Sequence, residues 1–150
     1  MVEKNIDEIL LEKSIDKRLV FAIRVVLASI WIYNGLWLKV ILLDEHHLAI
    51  LRSVGNGLDA VVLCRAIGSC ETLLACGILS GLFYRFVSYF QIGIILLMNV
   101  IGSLFGGGTI AHPFGLIISN LPTIMCALIV ARYGPGDYAI TLKKNDVSSI

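Results

Sequence analysis

Charged residues are scarce in this sequence: Asp, Glu, Lys and Arg make up 15% of its 150 residues, against about 25% in a typical soluble domain. Hydrophobic residues reach 57%. This balance excludes an ordinary soluble domain and is typical of a chain that crosses a membrane several times. The formal net charge of +1 also excludes the strongly basic surface on which nucleic-acid binding depends.

The sequence also lacks a redox motif. None of the four cysteines belongs to a CxxC pair. Cys64, Cys70 and Cys76 recur at intervals of six along one apolar run, about 120° apart around a helix, and Cys126 lies in another run. This spacing gives neither a metal cluster nor a redox pair, and the cysteines are interpreted as small packing residues.

The three histidines give no metal motif either. His46 and His47 follow Asp44 and Glu45 in a polar turn, and His112 is predicted on the same side of the membrane. No two histidines have the i,i+4 spacing that places two imidazoles on one helix face. A solvated turn is therefore favoured over a metal site. Because no catalytic or cofactor motif is evident, a non-catalytic role is favoured over an enzyme.

Four apolar runs are each long enough to cross about 30 Å of hydrocarbon as a helix. They cover residues 19–38, 58–82, 86–105 and 113–131. The sequence therefore predicts an all-α integral membrane four-helix bundle over residues 19–132, with tails at 1–18 and 133–150. The apolar first outer loop predicts a short interfacial segment. The N-terminal tail fits an interfacial helix or a flexible tail, and the C-terminal tail is predicted to be disordered beyond Leu142.

Basic residues outside the spans divide unevenly between the two sides of the membrane. Lys39 and Arg52 fall on one side, and the others fall on the opposite side: Lys4, Lys13, Lys17, Arg18, Arg85, Arg132, Lys143 and Lys144. Because lysine and arginine concentrate in cytoplasmic loops, both termini are predicted to be cytoplasmic.

One face of the first span carries two charges. At helical spacing this face is Arg24, Ala28, Trp31, Gly35 and Lys39, and we expect it to face the bundle. Two alternatives remain open for Arg24: snorkelling back to the cytoplasmic headgroups, or an interior pairing. Lys39, at the other end of the span, is expected to snorkel to the outer interface.

Glu71 lies in the middle of the second run, about 20 Å along it at about 1.5 Å per residue. A carboxylate at mid-membrane costs on the order of 3 kcal/mol, so we expect Glu71 to be protonated or to face a partner in the protein interior. Arg65 lies about 120° away around the same helix, which disfavours a direct salt bridge between the two.

Each span also places one polar residue in the outer half of the membrane: Asn34, Arg65, Asn99 and Asn120. An interior polar layer would satisfy these groups, with Arg65 meeting the asparagine amides, Glu71 just below, and Lys39 and His112 at its edge. The layer fits a ligand pocket, or polar residues that only join helices to one another.

Glycines are expected to let helices approach one another closely. Gly77 and Gly81 form one GxxxG pair, Gly102 and Gly106 form a second, and Gly68 lies between the two faces of the second span.

Three stretches of the chain together resemble the DoxX-like family of small four-helix membrane proteins. They are Trp31, Tyr33, Asn34 and Gly35 followed by Lys39; Gly68 and Glu71 with Gly77; and His112, Pro113, Phe114 and Gly115 with Asn120. The resemblance implies a compact bundle in the inner membrane of a prokaryote, with Glu71 and Lys39 as the positions to test. Family members include subunits of a thiosulfate:quinone oxidoreductase, companions of thiol-redox enzymes and a distant animal assembly factor.

The resemblance favours a non-catalytic accessory or assembly subunit of a quinone- or thiol-linked membrane oxidoreductase. Its partners would be the lipid bilayer and another membrane protein or a second copy. The alternative is a membrane-embedded site for a small lipophilic or anionic ligand, such as a quinone, the one cofactor considered. Proton or small-solute transport is a weaker alternative, because the 150 residues show no broken helix or inverted repeat.

Overall fold

The computed structural model describes residues 6–54, 57–105 and 113–140, with side chains described over 17–53, 57–104 and 115–140. Its helices are α1 (Ile6–Ile32), π1 (Tyr33–Ile41), α2 (Glu45–Val54), α3 (Ala60–Ser80), α4 (Tyr84–Phe105) and α5 (Pro113–Tyr133). Four helical segments are long and apolar enough to cross a membrane: Lys17–Ile41, Ala60–Ser80, Tyr84–Leu104 and Gly115–Tyr133. The predicted all-α class with four apolar spans is confirmed.

The four long helices form a ring in which each contacts two neighbours. α1 packs against α3 and α5, and α4 packs against the same two helices. Short connections make successive long helices run in opposite directions. We call the end that carries residues 17–24, 78–88 and 129–140 the Arg24 end, and the opposite end, where π1, α2 and the start of α3 lie, the Lys39 end.

Apolar side chains fill the core and also cover the outside. Leu27, Ala75 and Ala127 are fully buried, whereas Leu73, Phe86 and many other large apolar residues are more than half exposed. Backbone hydrogen bonds are satisfied within each helix, so such an apolar exterior suits hydrocarbon rather than water. The protein is therefore a multi-pass membrane protein.

The loop between the first two spans folds back onto the bundle as α2. Leu48 is buried against Ala60 and Cys64 of α3, so this short segment of the loop is a helix packed on the bundle. Asp44 precedes α2, and its carboxylate lies 3.0 Å from Nδ1 of His47. This hydrogen bond, with smaller help from the backbone N–H groups of His46 and His47, lowers the pKa of Asp44 below its ordinary value.

The described part of the N-terminal tail is helical, as one of its two alternatives predicts, and the C-terminal tail begins as a non-helical segment on the bundle. α1 begins at Ile6, so residues 6–18 are helical up to the first span. After α5, residues 134–140, here called the C-terminal strap, cross the Arg24 end of the bundle. The Asp137 N–H donates to the Lys17 carbonyl at 3.3 Å, and the Ile140 N–H donates to the Ser80 carbonyl at 2.9 Å. The segment predicted to be disordered beyond Leu142 lies outside the described residues.

Gly136 explains how the strap lies so close to α1. Its φ is +70°, a left-handed conformation that glycine adopts without strain. A Cβ there would lie 2.6 Å from the Lys17 carbonyl oxygen and 2.7 Å from the Phe21 nitrogen. Only glycine fits the strap against the backbone of α1.

Candidate functional site

Glu71 meets a cation inside the bundle, as one of the two sequence alternatives predicts. Its Oε1 accepts a hydrogen bond from Nζ of Lys39, and each residue is only 4% exposed. The expectation that Lys39 snorkels outward is wrong. Side chains on a helix lean toward its N-terminus, so Lys39 extends back along π1 into the bundle rather than out to the membrane surface.

Two glycines bring the helices that carry this pair into backbone contact. A Cβ on Gly35 would lie 2.7 Å from Cβ of Glu71 and 2.8 Å from the Gly68 carbonyl oxygen. A Cβ on Gly68 would lie 2.6 Å from the Gly35 carbonyl oxygen and 2.8 Å from Cβ of Lys39. These distances leave no space for any other residue, so the two glycines set the distance between π1 and α3 at the ion pair.

The other glycines predicted to pack helices behave differently. A Cβ on Gly77 would meet only Val87, at 3.8 Å, which is ordinary contact. Gly81 ends α3 in the left-handed conformation with φ +69°, and a Cβ there would lie 2.8 Å from a guanidinium nitrogen of Arg24 and 2.9 Å from Cβ of Ala139. Gly102 is buried in α4, and Gly106 lies outside the described residues.

The lysine stands on a π-helix rather than on an ordinary α-helix. π1 covers nine residues, Tyr33–Ile41, and buries Gly35 and Lys39 on its inner side. The Leu42 N–H closes its last turn by donating to the Trp37 carbonyl at 2.9 Å, five residues back. π-helical segments are rare and are frequently found at functional sites. Apolar periodicity did not reveal this one, because the same face stays inward in either helix type.

The second carboxylate oxygen of Glu71 has no hydrogen-bond partner within residues 6–54, 57–105 and 113–140. Oε2 is buried and accepts no hydrogen bond from any described residue. Lys39 has three N–H donors on Nζ, and one of them is directed to Oε1. Leaving a buried acceptor unsatisfied costs about 1–3 kcal/mol, more when it is charged. The unsatisfied Oε2 therefore lowers the stability of the fold, and selection for stability alone would favour a hydrogen-bond donor beside it.

A second buried hydrogen bond crosses the bundle near the ion pair. Nε1 of Trp31 donates to Oε1 of Gln91 at 3.0 Å, and both side chains are buried. Trp31 precedes Gly35 by one helical turn. All five residues of the predicted inward face of the first span are buried, so this expectation is confirmed.

The predicted polar layer is only partly assembled. Nδ2 of Asn120 donates to Oδ1 of Asn99 at 2.7 Å, joining α5 to α4, and Nδ2 of Asn99 is buried without a partner among the described residues. Asn34 instead donates to the Ile30 carbonyl of its own helix at 2.8 Å. Arg65 is exposed on the outside of α3, one and a half turns from its start, and does not meet the asparagines. His112 lies outside the described residues.

Arg24 is buried and takes the interior one of its two predicted alternatives, with backbone carbonyls as its partners. Its guanidinium donates to four backbone carbonyls: Ile78 at 3.0 Å, Asp137 at 3.4 Å, and, more closely, Leu79 and Pro135. The carbonyls at the end of α3 have no partner within that helix, so a cation satisfies them. A cavity of about 10 Å³, enough for about one water molecule, lies beside Arg24, Ser88 and Gln91.

The cysteines take different positions within the bundle. Cys64 is buried against α2, whereas Cys70 and Cys76 are exposed on α3 and Cys126 is half-buried. The described residues contain no group of His, Cys, Asp and Glu that could hold a metal ion.

Comparison with known proteins gives one match. The family model described as the DoxX-like family matches residues 28–128, more than half of the chain. No curated protein and no solved structure matches. The matched region contains π1, the ion pair, both contact glycines and the pair of asparagines.

Proposed function

Since this chain belongs to the DoxX-like family, we propose that it is an inner-membrane protein whose buried Lys39–Glu71 pair binds the polar head of a small lipophilic molecule, such as a quinone. The observation that carries this proposal is the buried, unpartnered Oε2 of Glu71. The excess of basic residues on the side of the termini supports an orientation with both termini cytoplasmic.

The pair offers complementary groups to such a ligand. Oε2 of Glu71 can accept a hydrogen bond from a hydroxyl or amine, and the remaining N–H groups of Lys39 can donate to a carbonyl oxygen. An ionisable residue inside a membrane is costly, and such residues commonly mark ligand or proton pathways. Because the two charges neutralise each other, an uncharged lipophilic headgroup suits the site better than a strongly charged one.

A fluorescence titration tests this proposal. Trp31 precedes Gly35 by one turn, and Gly35 contacts Glu71, so a quinone bound at the ion pair should quench the fluorescence of Trp31. A short-chain quinone and the corresponding quinol serve as probes. We expect saturable quenching in wild type and at least tenfold weaker binding in Glu71→Gln, in which one oxygen becomes an amide donor. Arg65→Gln, an exposed charge on the same helix, is the matched control and should bind as wild type does. Unchanged binding by a folded Glu71→Gln variant would contradict the proposal.

A second function, the accessory subunit, is favoured by the outward face of α3. Arg65, Ser69, Cys70 and Cys76 are all exposed there, whereas the lipid-facing positions of a lone helix are normally apolar. Small and polar residues on a membrane helix are typical of contacts with another helix. The proposed partner is a membrane oxidoreductase.

Crosslinking in native membranes tests the accessory role. A thiol-reactive crosslinker attached at Cys70 should capture the same membrane oxidoreductase repeatedly, and Ser69→Leu should reduce the capture. Ile118→Phe, a change at an exposed apolar position of α5, which does not border α3, serves as the control. Crosslinks only between copies of this chain would replace the oxidoreductase partner with a homo-oligomer.

A further inference from the structure

A groove lies on the outside of the bundle at the Arg24 end, far from Glu71. Its volume is about 430 Å³, and it runs between α1 and α5. Leu19, Val20 and Ile23 of α1 form one wall and Ile129 of α5 forms the other. The groove thus presents aliphatic side chains along the direction of the helices, which is the direction in which a lipid acyl chain lies.

The mouth of the groove is basic. Lys17 and Tyr133 line its end, and the backbone of the C-terminal strap closes it at Gly136. Arg18 and Arg132 are exposed beside these lining residues. Among the side chains described at this end of the bundle, Asp137 is the one carboxylate, so cations outnumber acids around the mouth.

We propose that this groove binds one anionic phospholipid, with an acyl chain between α1 and α5 and the phosphate beside Lys17 and Arg132. Charge complementarity selects this occupant: basic pockets between membrane helices bind anionic headgroups, and the aliphatic walls suit the chain. The hydroxyl of Tyr133 and the N–H groups of Lys17 can donate to phosphate oxygens. A zwitterionic lipid has the same acyl chains, but its headgroup also carries a cation, so its electrostatic attraction to the basic residues at the mouth is weaker.

Native mass spectrometry of the full chain tests the site. The protein is released from vesicles of equal phosphatidylglycerol and phosphatidylcholine, and the lipid retained by each molecule is counted. We expect wild type to retain one phosphatidylglycerol. The Lys17→Gln/Arg132→Gln variant should retain at least tenfold less, because each cation near a membrane surface contributes about a fivefold preference for anionic lipid.

Two further variants separate the groove from charge in general. Arg85→Gln removes an exposed cation of α4 at the same end, outside the groove, and should retain phosphatidylglycerol as wild type does. Ile129→Phe fills the groove while every charge stays in place, and this variant should lose the retained phosphatidylglycerol. The same preference should appear without any substitution, as a higher melting temperature of wild type in phosphatidylglycerol than in phosphatidylcholine.

Four results would overturn the proposal. Equal retention of the two lipids would mean a general lipid shell, and an equal loss in Arg85→Gln would mean diffuse attraction to charge. A dimer that Ile129→Phe dissociates would mean that a second copy occupies the groove. Equal melting temperatures in the two lipids would exclude a selective site even if the variants failed to fold.

Discussion

Two buried cations on one helix face, fifteen positions apart, are held in opposite ways. Arg24 lies among backbone carbonyls of α3 and the C-terminal strap, and no described carboxylate meets it. Lys39 meets the carboxylate of Glu71, whose second oxygen is left unpartnered. A guanidinium carries five N–H donors in a fixed fork and suits several acceptors at once, whereas an ammonium behaves as a compact point charge.

The Arg24 end of the bundle is held by hydrogen bonds to the backbone, whereas the Lys39 end carries the proposed binding site. At the Arg24 end, the cation donates to four carbonyls, of which the Ile78 carbonyl also accepts from the Gly81 N–H, so its replacement should affect stability first. At the Lys39 end, an acceptor remains unsatisfied and a π-helix replaces an ordinary turn. Features that lower stability, such as these two, are typical of functional sites.

Arg24→Met should have the largest effect on stability. It removes a donor from four carbonyls that are buried or partly buried, and among the described residues the Ile78 carbonyl alone keeps a second donor, the Gly81 N–H, so we expect the free energy of unfolding to fall by about 3–5 kcal/mol. Unfolding in mixed detergent micelles measures the loss, with the exposed Arg85→Met as control. A decrease below about 1 kcal/mol would show that water replaces the guanidinium and that the Arg24 end is not held by it.

Lys39→Met should destabilise somewhat less, by about 3 kcal/mol, because it leaves the carboxylate of Glu71 buried without its cation. Removing both charges in Lys39→Met/Glu71→Leu should recover most of the loss, since an apolar pair often replaces a buried ion pair at little cost. The same micelle unfolding assay measures both variants. No recovery in the double variant would mean that the pair is required for the fold, which would erase the contrast between the two ends.

Gly68→Ala should cost about 1–3 kcal/mol, because its Cβ would overlap the Gly35 carbonyl oxygen. The variant should also weaken quinone binding, since π1 would move away from α3 and carry Lys39 with it. Gly93→Ala is the matched control: a Cβ there meets no atom within 4 Å. We expect that control to be neutral or slightly stabilising, and a similar loss in both variants would refute the backbone contact.

The smallest effect concerns α2 and is limited to low pH. The pKa of Asp44 is lowered from 3.8, so its interaction with His47 contributes stability above that value and loses it as pH falls through the folded-state pKa. Hydrogen exchange of α2 should therefore accelerate selectively below about pH 4, relative to Asp44→Asn. If hydrogen exchange of α2 depends on pH in the same way in wild type and in Asp44→Asn, the interaction between Asp44 and His47 does not stabilise α2.

The inward face of the first span and the interior partner of Glu71 could be predicted from the sequence. Helical periodicity identifies which residues share a face, and the cost of a charge in hydrocarbon requires a partner. Periodicity does not determine which way a long side chain bends, and so Lys39 was expected to point outward. Nor does periodicity reveal the π-helix, because the same face stays inward in either helix type.

The remaining differences come from backbone geometry, which residue types encode weakly. GxxxG spacing singles out Gly77 and Gly81, whereas the contact between π1 and α3 uses Gly35 together with Gly68, which the sequence also predicts to pack helices. The sequence predicts headgroups or an interior partner for Arg24 without naming that partner, because carbonyls of a helix end carry no sequence signal. Depth in the membrane places Arg65 level with the three asparagines and so predicts an interior position. Depth does not show on which side of α3 the residue lies, and Arg65 faces outward.

The strap across Arg24 also bears on how the protein is made. Arg24 enters the membrane early in synthesis, whereas the Pro135 carbonyl that it binds is 111 residues further along the chain. Until that segment emerges, the guanidinium lacks two of its four carbonyl partners, those of Pro135 and Asp137. Docking of residues 135–137 therefore completes the set of acceptors around Arg24. A chain arrested before α5 is complete would expose a half-satisfied arginine, a feature by which membrane quality control could recognise it.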